Sequence, residues 1–142
     1  MDEAEVIDVM SVKDGFNHVN VMGRVLEAWE KKAVDTAGGV RYVSEAIIGD
    51  SSGRIKVSIW GDKAGTLKRG EVVMLRNASA VSWHGEVQLN VGEFASVERR
   101  DDAEAPAPNA IPDQRPKVYR RPERFSRGRR RGQPSYGRRW KR

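Results

Sequence analysis

Between Arg54 and Trp60 the chain alternates without a fault: Ile55, Val57 and Ile59 are apolar, while Arg54, Lys56, Ser58 and Trp60 carry two cations, a hydroxyl and an indole. Side chains along a strand point alternately to opposite faces, so this segment predicts a strand with one apolar and one polar face. The preceding run, Arg41 to Gly49, ends in Asp50-Ser51-Ser52-Gly53, a cluster of turn formers that includes a glycine, and the two runs read as a β-hairpin. The turn sets the register. Ile48 then faces Ile55, Ala46 faces Val57 and Ser44 faces Ile59, while Arg41, Val43, Glu45 and Ile47 join Trp60, Ser58 and Lys56 on the second face. The stretch Arg41 to Asn77 therefore divides a core face from an outer one. A solvated strand face carries Lys, Glu and Thr as a rule, so Trp60 either serves a ligand or caps the end of the core.

The remaining segments complete a small barrel. Val6 to Val12 is a short apolar run that leads into a turn at Lys13-Asp14-Gly15. His18 to Trp29 predicts a long first strand, in which Gly23 marks either a sharp bend or a weak point. Lys31 to Gly39 reads as a flexible loop into the hairpin, and Gly61 to Gly70 has room for one or two helical turns at most. Glu71 to Ala78 predicts a fourth strand with Arg76 facing out. Ser79 to Gly85 reads as a loop carrying Trp83, and Glu86 to Val97 as a fifth strand. Five strands with glycine-bearing turns and no long amphipathic helix predict an all-β barrel, which leaves the hairpin one face inside and one outside.

Charge and proline locate the end of that domain. Of the 142 residues, the first 100 hold 13 Lys+Arg and 15 Asp+Glu, net −2, whereas residues 101–142 hold 13 and 5, net +8. All six prolines, Pro106 to Pro134, lie in the second part, where Ile111 and Val118 are the large aliphatics. Such a composition does not bury enough apolar surface to offset the entropy of ordering. The expectation is a domain over residues 1–100 and a disordered Pro/Arg-rich tail over 101–142. With no cysteine, disulfides and thiolate metal sites are excluded. No apolar run reaches the length of about 20 residues that spans a bilayer, and the acidic start Met1-Asp2-Glu3-Ala4-Glu5 is unlike a signal peptide. The expected location is cytoplasmic, with no membrane partner.

The runs Val19-Asn20-Val21, Arg24-Val25-Leu26-Glu27-Ala28, Ser44-Glu45-Ala46-Ile47-Ile48-Gly49-Asp50, Gly53-Arg54, Trp60-Gly61, Asn77-Ala78 and Val87-Gln88-Leu89-Asn90 closely resemble the crenarchaeal single-stranded DNA-binding protein family. The resemblance covers Val12 to Gly92 in register, and the tail by composition. It implies a single OB-fold followed by an Arg/Gly-rich tail, and three aromatic side chains that stack on bases. Trp60 stands at the first of those positions and Trp83 at the third, while Ser79 stands at the second, where this chain departs from the pattern. Trp29 is an extra indole at the end of the first strand. The family's tail can end in acidic residues; here the chain ends Arg138-Arg139-Trp140-Lys141-Arg142.

Independently of that resemblance, an aromatic platform beside cations suits single strands, whose bases expose their π-faces regardless of sequence. The candidate platforms are Trp60, Trp83 and Trp29, with Arg41, Arg54, Lys56 and Arg76 tracking phosphates. A binder built on phosphate contacts has a basic domain; net −2 assigns stacking to the barrel and long-range attraction to the tail. There Tyr119, Phe125, Tyr136 and Trp140 are interleaved with arginines, a pattern fitted to nucleic acid or to acidic protein partners. The alternative is an RNA-binding or ribosome-associated protein that uses the same face and the Arg-rich tail. Catalysis is not expected. His18 and His84 are the only histidines, no phosphate-binding loop is present, and Glu45, Asp50 and Asp62 lack metal-site spacing. No cofactor is implied.

Overall fold

The computed structural model describes residues 5–118, and the core is built from the alternation seen in the sequence. β1 (Val19–Ala28), β2 (Lys32–Thr36), β3 (Gly39–Asp50), β4 (Gly53–Trp60), β5 (Val72–Trp83), β6 (Glu86–Val91) and β7 (Ser96–Arg100) follow in chain order. Ile55, Val57 and Ile59 of β4 are fully buried with Ile48, Leu75, Leu89 and Val91. The sheet runs β1-β3-β4-β6-β5, and β5 pairs back onto β1, so these strands close a barrel. They are the five strands expected. The β3–β4 pair has the expected register, including Ile48 opposite Ile55 and Val43 opposite Trp60.

Closure depends on β1 serving two neighbours. Its first half pairs with β5 and its second half with β3. Gly23 sits where the partners change, and a Cβ there would lie 2.7 Å from the carbonyl oxygen of Gly49. What Gly23 provides is close approach, since only glycine lets the backbones meet so closely; the register irregularities of β1 fall on either side of it, between Val19 and Val21 and between Val25 and Glu27.

Three segments differ from expectation. Lys31 to Gly39 is not a loop, because β1 covers only the end of β3 and leaves its first residues without a partner. β2 fills that edge, Lys32 opposite Val43 through Thr36 opposite Gly39. Thr36 Oγ1 tightens the turn by donating to Gly39 O at 2.7 Å and accepting from Gly38 N at 3.2 Å. Ser79 to Trp83 likewise belong to β5, which continues past a positive-φ residue, Asn77, and pairs with β6. The turn between them is only His84-Gly85, both at positive φ, as a tight hairpin turn requires. The expected fifth strand splits at Gly92-Glu93 into β6 and β7, the latter pairing with the other half of β5.

The segment expected to leave the barrel at residue 101 stays on it as far as 118. Two barrel arginines hold it. Arg24, nearly buried, donates to Asp102 O and Oδ1, Ala105 O, Pro106 O and Gly70 O at 2.6–3.2 Å, so all five guanidinium N–H groups are used. Arg54 donates to Pro112 O and Ile111 O. Ile111 is buried against Gly49, and Val118 packs on the core. We call residues 101–118 the strap. The remainder of the expected tail, 119–142, lies outside the described residues.

Candidate nucleic-acid interface

The outward face of the hairpin extends across the sheet by register. Glu45 pairs with Ser58, Ser58 with Asn90, and Asn90 with Ser79. Ala28 pairs with Ala46, and the next backbone N–H, that of Trp29, donates to Glu45 O at 3.0 Å. Trp29 thus stands at one end of this row, half exposed, and Ser79 at the other. They are separated by four strand spacings, about 19 Å, so Trp29 does not replace the aromatic that Ser79 lacks. It leaves an exposed indole on the opposite flank.

The neighbouring row is Lys32, Val43 and Trp60. Trp60 is partly buried, with Nε1–H donating to Asn90 Oδ1 at 3.3 Å and the Arg41 guanidinium carbon 5.2 Å from its ring centroid. Val43, in the middle of this row, is buried, but the indole itself stays on the outside, and the core cluster is completed without either. This answers the core-cap alternative. Arg41, Trp60, Gly61, Asp62, Lys63 and Glu93 line a shallow pocket at this end of the face.

Trp83 ends β5 on the same outward side, 38% exposed, with its ring edge-to-face against His84 at 4.4 Å. Its cross-strand partner is Glu86, six residues from Gly92, the position just past β6 that continues the register to the level of Trp60. The two indoles are therefore separated by about 20 Å along the strands and about 10 Å across them. That separation is too large for both rings to meet one base.

The expected cations divide. Arg41 meets Trp60, and Lys56 lies on the face with its Nζ 3.4 Å from Glu45. Both partners are about one-third exposed, so the ion pair is weak and a phosphate can exchange for the carboxylate. Arg54 corrects the expectation: its guanidinium is engaged by strap carbonyls and lies 3.7 Å from Asp113, so it anchors the strap and is not open to phosphate. Arg76 is carried by the half of β5 that pairs with β7, where it donates to Glu98 at 2.9 Å, away from the row of Ser58 and Asn90. Sequence reasoning missed Lys32, which shares a row with Trp60, because the segment around it has one large aliphatic, Val34, and no clear alternation. Asp50 is occupied by its turn, accepting from Ser52 N, Ser52 Oγ and Val9 N.

Residues 12–99 match the family described as single-stranded DNA binding protein Ssb-like, OB fold. The chain belongs to that family. It is also 40% identical over 129 residues to the single-stranded DNA binding protein Ssb of Saccharolobus solfataricus, covering 91% of this chain and 87% of that protein. Among solved structures, the OB domain of a Thermoplasma acidophilum protein superposes with a TM-score of 0.60 at 23% identity, covering 69% of this chain and 89% of the other. Pot1pC of Schizosaccharomyces pombe bound to ssDNA gives 0.56 at 12% identity, covering 69% and 88%. At such identities these two likenesses carry the fold alone.

Proposed function

We propose that the protein binds single-stranded DNA with little sequence preference and protects exposed strands during replication and repair, working in the cytoplasm without catalysing a reaction. The observation that carries this reading is Trp60: an indole on the outward face, steadied by Asn90 and Arg41 and left open to a partner. Such a ring stacks on any base. Trp83 and Trp29 extend the platform to two other edges of the face, with Lys32, Arg41 and Lys56 beside it. Membership of the Ssb-like family and the name of the Saccharolobus relative support DNA as the ligand.

The deciding experiment is a competition between single-stranded DNA, single-stranded RNA and duplex of equal length, read by quenching of tryptophan fluorescence. Preference for single-stranded DNA is the expected result. Equal or tighter binding of RNA reassigns the ligand, and a duplex preference removes the stacking reading. Labelled DNA incubated with Mg²⁺ or Mn²⁺ is expected to stay intact; cleavage abolished by changing Glu45 or Asp62 reverses the class.

A further inference from the structure

We infer that the strap is part of the binding face, and that Arg115 and Lys117 are phosphate-contacting residues of that face. This inference rests on the proposed single-strand binding.

β4 and β6 run parallel and pair at Val57–Ile59 with Leu89–Val91, but their first residues are not paired with each other. The end of the strap enters this gap. Gln114 O accepts from Arg54 N at 2.9 Å on the β4 side, while on the β6 side Pro116 O accepts from Val87 N and Val118 N donates to Gly85 O, each at 2.9 Å. Lys117 bridges Glu86 in antiparallel sense. The strap end is thus a short strand laid between β4 and β6.

A strand placed there must alternate, and it does. Pro116 is buried, and Val118 packs against the core cluster, so the intervening residues face outward. Residues bridged across an antiparallel pair lie on the same side, and Glu86 is on the outward side with its hairpin partner Trp83. Lys117 is therefore on the face that carries Trp83, and Arg115, two residues before it, is as well. Lys117 is exposed and has no acidic partner among the described residues. Arg115 lies 3.7 Å from Glu86, both about one-third exposed, a pairing loose enough for a phosphate to take the guanidinium.

These two cations supply what the barrel lacks. Arg54, expected at this end of the face, is spent on strap carbonyls, and Glu86 leaves a negative charge beside Trp83. With the strap in place the stretch between Lys56 and Trp83 becomes cationic, so a backbone passing from Trp60 toward Trp83 meets a positive charge along its way.

The test uses the full chain. Lys117→Gln and Arg115→Gln/Lys117→Gln are compared with Lys68→Gln/Arg69→Gln, a pair of equal charge change on the loop before β5. Affinity for a single-stranded oligonucleotide is measured across a salt series, with thermal melting as the folding check. Each neutralised phosphate contributes about 0.7 to the slope of log K against log[salt]. The strap variants are expected to keep their melting temperature and to flatten the slope by about 0.7 for the single and about 1.4 for the double, with weaker binding at low salt. The loop pair is expected to change neither. An unchanged slope in folded strap variants, or an equal effect from the loop pair, overturns the assignment. Trp60→Ala measured alongside separates the two levels: if it loses affinity while the strap variants do not, the face stands and the strap falls. If Trp60→Ala also binds normally, the binding face itself is misplaced.

Discussion

The guanidinium of Arg41 lies over the ring of Trp60, 5.2 Å from its centroid, at the end of β4. Because the indole N–H is also tied to Asn90, the ring is held in one orientation before any ligand arrives. Pre-ordering of this kind reduces the entropy lost on binding. Trp60→Ala is expected to cost about 1 to 3 kcal/mol of single-strand affinity, the usual worth of one base–aromatic stack. Since the ring lies outside the core cluster, the melting temperature should change little. Arg41→Ala should cost less than Trp60→Ala, and fluorescence quenching on binding should shrink most in Trp60→Phe. A folded Trp60→Ala protein with unaltered affinity rules out the platform.

Trp83 provides an independent measurement. It stands roughly 20 Å from Trp60 along the strands, and effects at sites more than about 10 Å apart add to within about 0.5 kcal/mol. Trp83→Ala alone should lose about 1 to 3 kcal/mol, and the double variant the sum of the two singles. A double loss well short of the sum means that one base contacts both rings, which the register excludes. Isothermal titration with one oligonucleotide and the four proteins decides this.

Arg24 separates stability from binding. Its five donors satisfy four backbone carbonyls and one carboxylate, and it is 5% exposed. Arg24→Met leaves those carbonyls without a donor where water enters poorly, at an expected total cost of about 2 to 4 kcal/mol. Arg24→Lys recovers part of this, limited by three donors and no planar fork. Urea denaturation measures the loss. Oligonucleotide affinity of the folded fraction is expected to stay within threefold, because Arg24 lies on β1 before the bulge and away from the row of Trp29 and Glu45.

How much of this was legible follows from where each residue's partners lie in the chain. The β3–β4 hairpin was legible to the residue pair, since period-two alternation and the turn formers Asp50 to Gly53 are local signals; the strands run on to pair Asp50 with Gly53 and keep the same register. β2 was not, because Lys32 to Thr36 pairs only on account of an edge that β1 leaves open. Trp83 was assigned to the face but to a loop: Ser79, Ser82 and His84 read as turn formers, and the strand they extend is specified by β6. The strap was missed for a clearer reason. Its aliphatics are few, yet Ile111 and Val118 are the ones that pack inward, and much of the rest of its hold comes from carbonyls bonded to Arg24 and Arg54, 57 or more residues away. No composition argument sees a backbone acceptor. Those two arginines were visible in the sequence only as cations, which is why Arg54 was assigned to phosphate.

The strap also decides where the chain must be cut to test the tail. Removal of residues 101–142 takes away four of the five acceptors of Arg24, the carbonyl acceptors of Arg54 and the strand between β4 and β6, so that protein is expected to be markedly less stable. A cut after Val118 leaves every one of these bonds in place. It removes 11 basic side chains and one acid, Glu123, all of them beyond Val118, whose N–H bonds to Gly85 O two residues from Trp83. For single strands each neutralised phosphate contributes about 0.7 to the salt slope. If four or five of those cations engage the same strand, the slope falls by about 3 on truncation, and low-salt affinity falls with it. Near 1 M salt, where screening acts over about 3 Å, the truncated and full chains should bind almost alike, because stacking on Trp60 and Trp83 is common to both. A truncated protein that keeps the full slope assigns phosphate contact to Lys32, Arg41, Lys56, Arg115 and Lys117 alone, and leaves the tail free for protein partners.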